Sequence, residues 1–124
     1  LLEDAKTVSP EDADICHKLA IAYLTTGEYI KAIENAKKTL SIAKNIETQL
    51  VLASAYSITG DYDNSKIQLE EVLTSDRKNR TALLGLSVVY RKTGKKEKCI
   101  ETLKKALQYY PDDSEIKSEL DKCE

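Results

Sequence analysis

The residues best suited to chemistry are a cysteine and the chain's one histidine, which are adjacent at Cys16 and His17. A thiol beside an imidazole is the pair that nucleophilic catalysis uses, with the histidine acting as the base. Adjacent residues of a helix, however, point about 100° apart, so these two side chains do not face each other. Because no further residues complete a catalytic constellation, the sequence predicts no catalytic residue and a protein that is not an enzyme.

Metal and cofactor sites lack support in the same way. One histidine and three scattered cysteines do not have the spacing of metal ligands, and Gly85 and Gly94 belong to no phosphate-binding motif. We therefore expect no metal and no cofactor. The odd number of cysteines predicts reduced thiols, with Cys16 and Cys99 in the core and Cys123 exposed at the end of the chain.

Charge is unevenly distributed along the chain. The net charge of the 124 residues is −2, yet residues 77–105 carry ten cations and two acids. Within this segment, the basic stretch 91–98 would suit an acidic protein, a phosphate backbone or an anionic lipid. No aromatic residues are interleaved for base stacking, which disfavours nucleic acid. The alternative is a solvated turn whose charge the acidic remainder of the chain balances.

Composition also limits the class of protein. The chain has seven Tyr but no Phe, Trp or Met, and no apolar run approaches the ~18 residues of a membrane span. Because Met is absent, Leu1 is not a natural translation start, and we expect a piece of a longer protein. The expected compartment is the cytoplasm.

Two residue types repeat with one period. Tyrosines recur 33 and 34 residues apart, and a glycine follows each of them by four residues. Three such copies in register predict an internal repeat. The positions are Tyr23, Tyr56 and Tyr90, with Gly27, Gly60 and Gly94.

Each repeat is predicted to form two helices joined at its glycine, since the residue past a helix end commonly needs a positive φ. For the second helices, Asp61 is a good N-cap, whereas Glu28 and Lys95 are poorer ones. Ile30 and Ile67 belong to the apolar stripes predicted on the second helices. Small residues recur where antiparallel helices must approach closely. They are Ala20, Ala53 and Ser87 in the first helices, and Ala32, Ser65 and Cys99 in the second helices.

The period and these positions resemble the tetratricopeptide repeat (TPR) over nearly the whole chain. The family often has Trp at a first signature position that is occupied here by Cys16, Gln49 and Leu83. The resemblance implies an all-α fold, a right-handed α-solenoid of helix-turn-helix units whose first helices line a concave groove. The predicted single domain, 1–124, comprises a second helix of a preceding unit at 1–12, repeats at 13–46, 46–79 and 80–113, and a capping helix at 113–124.

The resemblance also implies which residues line the groove. Apolar residues on a face that packing does not use indicate a binding surface, suited to an amphipathic helix or an extended peptide. The lining residues are His17, Ile21, Leu24, Thr25, Leu50, Ser54, Ser57, Ile58, Leu84, Val88, Arg91 and Lys92. The competing interpretation is that a flanking helix of the parent protein, or residues 113–124 folding back, covers this face.

One subclass of the family binds the C-terminal carboxylate of heat-shock chaperones with basic and amide side chains. The corresponding positions here are His17, Ile21, Val51, Thr81 and Gly85. Only His17 can donate a charge-assisted hydrogen bond, and only when it is protonated. The sequence therefore predicts no chaperone carboxylate clamp.

The function that the resemblance implies is a non-enzymatic scaffold or adaptor that binds a protein or peptide partner in its groove. The alternative is a structural or assembly module. In that case the repeat ends, with Leu1 and Leu2 on one side and Ile116 and Leu120 on the other, stack on further copies or on the rest of a larger parent protein.

Overall fold

The computed structural model describes residues 10–124, and these residues form helices joined by short turns, without a strand in that range. The helices are α1 (Pro10–Thr26), α2 (Tyr29–Ile42), α3 (Ile46–Ile58), α4 (Tyr62–Ser75), α5 (Arg80–Lys92), α6 (Lys96–Tyr109) and α7 (Ser114–Cys123). The prediction of an all-α fold of paired helices is therefore confirmed. The helix predicted over residues 1–12 lies largely outside the described residues.

The repeated glycines end the first helices as predicted. Gly27, Gly60 and Gly94 follow α1, α3 and α5, and their φ angles are 87°, 87° and 77°. A side chain at these positions would meet the steric cost of the left-handed region, which glycine avoids. The glycine period is thus a period of helix ends.

The N-caps of the second helices also follow the prediction. The Asp61 carboxylate accepts a hydrogen bond from the Asn64 backbone N–H at 3.3 Å, while Glu28 and Lys95 make no side-chain cap. A further series caps the other helices: Asn45, Asn79 and Asp113 begin α3, α5 and α7. Their spacing of 34 residues is the repeat period, so the sequence already contained this signal.

The chain divides into two compact units, an N-terminal unit that ends at Gly60 and a C-terminal unit, Asp61–Glu124. In the N-terminal unit α2 packs against both α1 and α3. The core of this unit contains both small and large side chains, and the predicted small residue Ala20 is fully buried in it. The core residues are Ala20, Ala36, Leu52 and Tyr56, and Ile33, Leu40 and Val51 pack against them.

In the C-terminal unit α5 packs against α4 and α6, and α7 packs against α5 and α6. The predicted small positions Ser65, Ser87 and Cys99 are buried there. Gly85 has a packing role, because a Cβ at this position would lie 3.2 Å from the Leu69 side chain. The glycine therefore lets α4 and α5 approach closely, which agrees with its lack of a phosphate-binding motif.

The apolar stripes predicted for the second helices were wrong at two positions. Ile30 is 66% exposed and Ile67 is 50% exposed. The second helices bury residues at i, i+4 and i+7 instead, which form one narrow side of each helix. Ile30 and Ile67 lie two residues from this pattern, or about 160° around the helix. The buried sets are Ala32, Ala36 and Thr39; Ser65, Leu69 and Val72; and Cys99, Leu103 and Ala106.

Candidate partner-binding surfaces

In the N-terminal unit, α1 and α3 are joined by a hydrogen bond between polar side chains. Nδ1 of His17 lies 2.8 Å from the hydroxyl oxygen of Thr48, and its Nε2 lies 4.0 Å from a carboxylate oxygen of Glu47. His17 is half-buried and Thr48 is fully buried. The imidazole therefore belongs to the contact between the two helices, and its Nδ1 is engaged by Thr48 rather than by Cys16.

The groove residues predicted on α1 and α3 include two well-exposed isoleucines. Ile21 is 42% exposed and Ile58 is 54% exposed. Thr25 and Ser54, which occupy the repeat positions equivalent to Ile58 and Ile21, are exposed as well. The remaining predicted residues of this unit are half-buried, namely His17, Leu24, Leu50 and Ser57.

In the C-terminal unit the predicted groove residues lie along α5. Leu84 and Val88 are half-buried, and Lys92 is exposed at the end of the helix. Nη2 of Arg91 lies 3.5 Å from a carboxylate oxygen of Glu119 on α7. One predicted binding residue is therefore already engaged by α7.

The structure adds an ionic contact between α5 and α7 that sequence reasoning missed. Nε and Nη2 of Arg80 donate to the Asp113 carboxylate at 2.5 and 3.1 Å, and Nη2 also lies 2.6 Å from Glu115. The Arg80 guanidinium, aided by the backbone N–H groups of Ile116 and Glu115, lowers the pKa of Asp113 to about 2. Asp113 thus both caps α7 and ties its first turn to α5.

Three predictions about the cysteines were wrong: that all thiols are reduced, that Cys123 is exposed, and that Cys16 lies in the core. Cys99 and Cys123 form a disulfide with a Cα–Cα distance of 6.2 Å, and Cys123 is buried rather than exposed. The reason is that α7 packs against α6 and places Cys123, in its last turn, beside Cys99 in the first turn of α6. Cys16 is a free thiol, and it is half-buried rather than in the core.

Within residues 10–124 there is no group of three or more His, Cys, Asp or Glu side chains placed to hold a metal ion. None of the described helices combines the length and the apolar character that crossing a membrane requires.

Comparison with known proteins identifies the family. Two models described as "Tetratricopeptide repeat" match residues 58–122 and 13–46. The first of these covers more than half of the chain, and we conclude that the chain belongs to the tetratricopeptide repeat family.

Relatives among curated proteins are distant and much longer. The chain is 24% identical over 108 residues to the BBSome complex member BBS4 of Bos taurus, and 26% identical over 118 residues to the anaphase-promoting complex subunit CDC16 of Saccharomyces cerevisiae. A third relative, 25% identical over 109 residues, is the human protein O-mannosyl-transferase TMTC1. The matches cover 87%, 89% and 87% of this chain, which spans 21%, 14% and 12% of these relatives.

Solved structures share the fold at low identity. The TPR domain of Arabidopsis OM64 superposes with a TM-score of 0.86 at 14% identity, covering 92% of this chain and 95% of that one. The first TPR of Spaghetti (RPAP3), solved with the HSP90 peptide SRMEEVD, has a TM-score of 0.83 at 20% identity and covers 94% and 95% of the two chains. The family and these neighbours together support a protein–protein interaction module.

Proposed function

We propose that the chain is a non-enzymatic scaffold that binds a peptide or helix of a partner protein through the exposed side of its first helices. The observation that carries the proposal is the pair of exposed isoleucines, Ile21 on α1 and Ile58 on α3. They occupy neighbouring positions of the repeat on helices that the His17–Thr48 hydrogen bond holds side by side. A similar fold solved with a bound peptide supports the same kind of function.

The chemistry of this side fits an apolar segment with some polar contacts. Burial of exposed isoleucine side chains by a partner stabilises the complex by about 25 cal/mol per Å² of apolar surface removed from water. Thr25 and Ser54 occupy the repeat positions equivalent to Ile58 and Ile21. The Thr25 hydroxyl donates to the Ile21 carbonyl at 2.8 Å and can still accept a hydrogen bond from a peptide, as the Ser54 hydroxyl can. An amphipathic helix or an extended peptide with apolar side chains at regular spacing meets both requirements.

The same positions do not favour a chaperone carboxylate clamp. Such a clamp needs several charged or amide donors, and the positions here hold Ile21, Val51, Thr81 and Gly85 besides His17. The imidazole is already hydrogen-bonded to Thr48. We therefore propose recognition by apolar contact rather than through a terminal carboxylate.

Selection from a phage-displayed library of random peptides, followed by binding measurements on synthetic hits, tests this proposal. The Ile21→Asp, Ile58→Asp double variant should lose binding, because each change places a charge in the apolar contact. Ile30→Asp, Ile67→Asp is the matched control, since it makes the same change at two isoleucines of second helices that are at least half exposed. Equal affinities of the two double variants for the selected peptides would refute the proposal, and circular dichroism melting checks that both remain folded.

The alternative assembly role has an observation in its favour as well. Leu19 of α1 is 40% exposed, although Leu52 and Leu86, at the equivalent repeat position, are buried. Ile15 is exposed on the same side, one turn earlier. Light scattering over a range of concentrations tests this role. A molecular mass that rises with concentration in the wild type but not in Leu19→Asp supports assembly, whereas a constant monomer mass counts against it.

A further inference from the structure

Four lysines surround the turn between α5 and α6, and we call them the basic turn: Lys92, Lys95, Lys96 and Lys98. All four are exposed, and within residues 10–124 none of them forms an ion pair. By contrast, Arg80 and Arg91, near the two ends of α5, are paired with Asp113, the N-cap of α7, and with Glu119 of α7. The ammonium group of Lys98 lies 5.8 Å from the centroid of the Tyr90 ring, so the charges of Lys92, Lys95 and Lys96 are the ones left for solvent or for a partner.

The equivalent turn of the preceding repeat has the opposite charge. There Asp61 caps α4 and Asp63 lies in its first turn. The corresponding N-cap of α6 is Lys95, which makes no side-chain cap. Cations at the N-terminal end of a helix also oppose its dipole. Acidic residues would therefore make this turn more stable than lysines do. Natural sequences break such local rules chiefly where function requires it.

We propose that the basic turn binds an acidic segment of a partner protein, a site that goes beyond the apolar surface proposed above. Charge complementarity identifies the occupant, since clustered exposed lysines steer and hold carboxylates.

The burial of a nearby aromatic ring favours an acidic protein over nucleic acid, because nucleic-acid sites use exposed rings for base stacking. The nearby ring of Tyr90 is buried beneath the ammonium groups of Lys66 and Lys98, at 5.9 and 5.8 Å from its centroid, and is not available for base stacking.

Fluorescence anisotropy with a labelled synthetic peptide of alternating Glu and Ser tests the proposal on the full chain. The variant Lys92→Gln, Lys95→Gln, Lys96→Gln should weaken binding about tenfold, and added salt should weaken the wild type strongly. The control Lys104→Gln, Lys105→Gln, Lys117→Gln removes the same charge from three other exposed lysines of the unit. It should change the affinity less than about twofold if position, rather than net charge, matters.

Three results would overturn the proposal. Equal weakening by the two triple variants would mean that only net charge matters, and no binding at low ionic strength would exclude the site. Tighter binding of a labelled single-stranded RNA, lost in the first variant alone, would assign the turn to nucleic acid instead. Because Ile21→Asp, Ile58→Asp leaves the basic turn intact, it should bind the acidic peptide as the wild type does, which separates this proposal from the apolar surface.

Discussion

The buried isoleucine of α7 allows a direct test of how the C-terminal unit is stabilised. Ile116 is fully buried, and α7 packs against α5 and α6. The change Ile116→Ala removes three carbon atoms from this contact. At about 0.8 kcal/mol per buried CH₂ group the transfer loss is about 2.4 kcal/mol, and the cavity that remains brings it to about 3 kcal/mol.

This loss converts into a melting temperature. Unfolding entropy is about 2.1 cal/mol/K per residue, or about 0.26 kcal/mol/K for the 124 residues. A loss of about 3 kcal/mol therefore lowers the Tm by about 12 °C if the chain melts in one transition. If the C-terminal unit melts by itself, its unfolding entropy is smaller, and the same loss of free energy lowers its Tm by more.

Thermal melting followed by circular dichroism measures the effect. The matched control is Ile67→Ala, the same chemical change at a half-exposed isoleucine of α4, which should lower the Tm by less than about 4 °C because half of the transfer term is absent and alanine favours the helix. If the two variants melt within about 2 °C of each other, the packing of Ile116 does not stabilise the unit and the reasoning is refuted.

Three other predictions concern the ends of helices and the thiols. Lys95→Asp should raise the free energy of unfolding by about 1 kcal/mol, since it restores an N-cap and removes an unfavourable charge; denaturant titration that shows no gain would contradict this. Because the pKa of Asp113 is lowered from 3.8 to about 2, its charge stabilises the fold above about pH 4, and this stabilisation is lost as the pH falls toward 2. Asp113→Asn should therefore show a shallower fall of Tm over that interval than the wild type, and parallel curves would count against the ionic contact. When the chain is denatured without reductant, one thiol, that of Cys16, should react with Ellman's reagent, and three reactive thiols would exclude the disulfide between Cys99 and Cys123. The disulfide closes a loop of 24 residues, so its reduction should lower the free energy of unfolding by about 3 kcal/mol.

The features that the sequence predicted well depend on local geometry. A glycine at Gly27, Gly60 or Gly94 is needed because the backbone there has a positive φ, whatever packs around it. The capping of α4 by Asp61 and its absence at Lys95 depend on the nearest residues alone. Repetition at a fixed period strengthened each of these signals, since one helix pair appears three times.

The features that the sequence did not predict depend on packing between distant residues. Arg80 and Asp113 are 33 residues apart, and Cys99 and Cys123 are 24 apart; only the packing of α7 brings each pair together. The exposure of Ile30 likewise depends on which side of α2 faces its neighbours. For the proposed binding surface, the sequence predicted a set of residues on the first helices, but it did not predict that Ile21 and Ile58 are the most exposed apolar residues of that set.

The central proposal, binding through the exposed side of the first helices, is tested most directly by chemical-shift mapping. Amide resonances of the ¹⁵N-labelled chain are followed while a library-selected peptide is added. The account predicts the largest changes around Ile21 and Thr25 of α1 and around Ser54 and Ile58 of α3. Changes that instead centre on the outer side of α2, around Ile30, would contradict it.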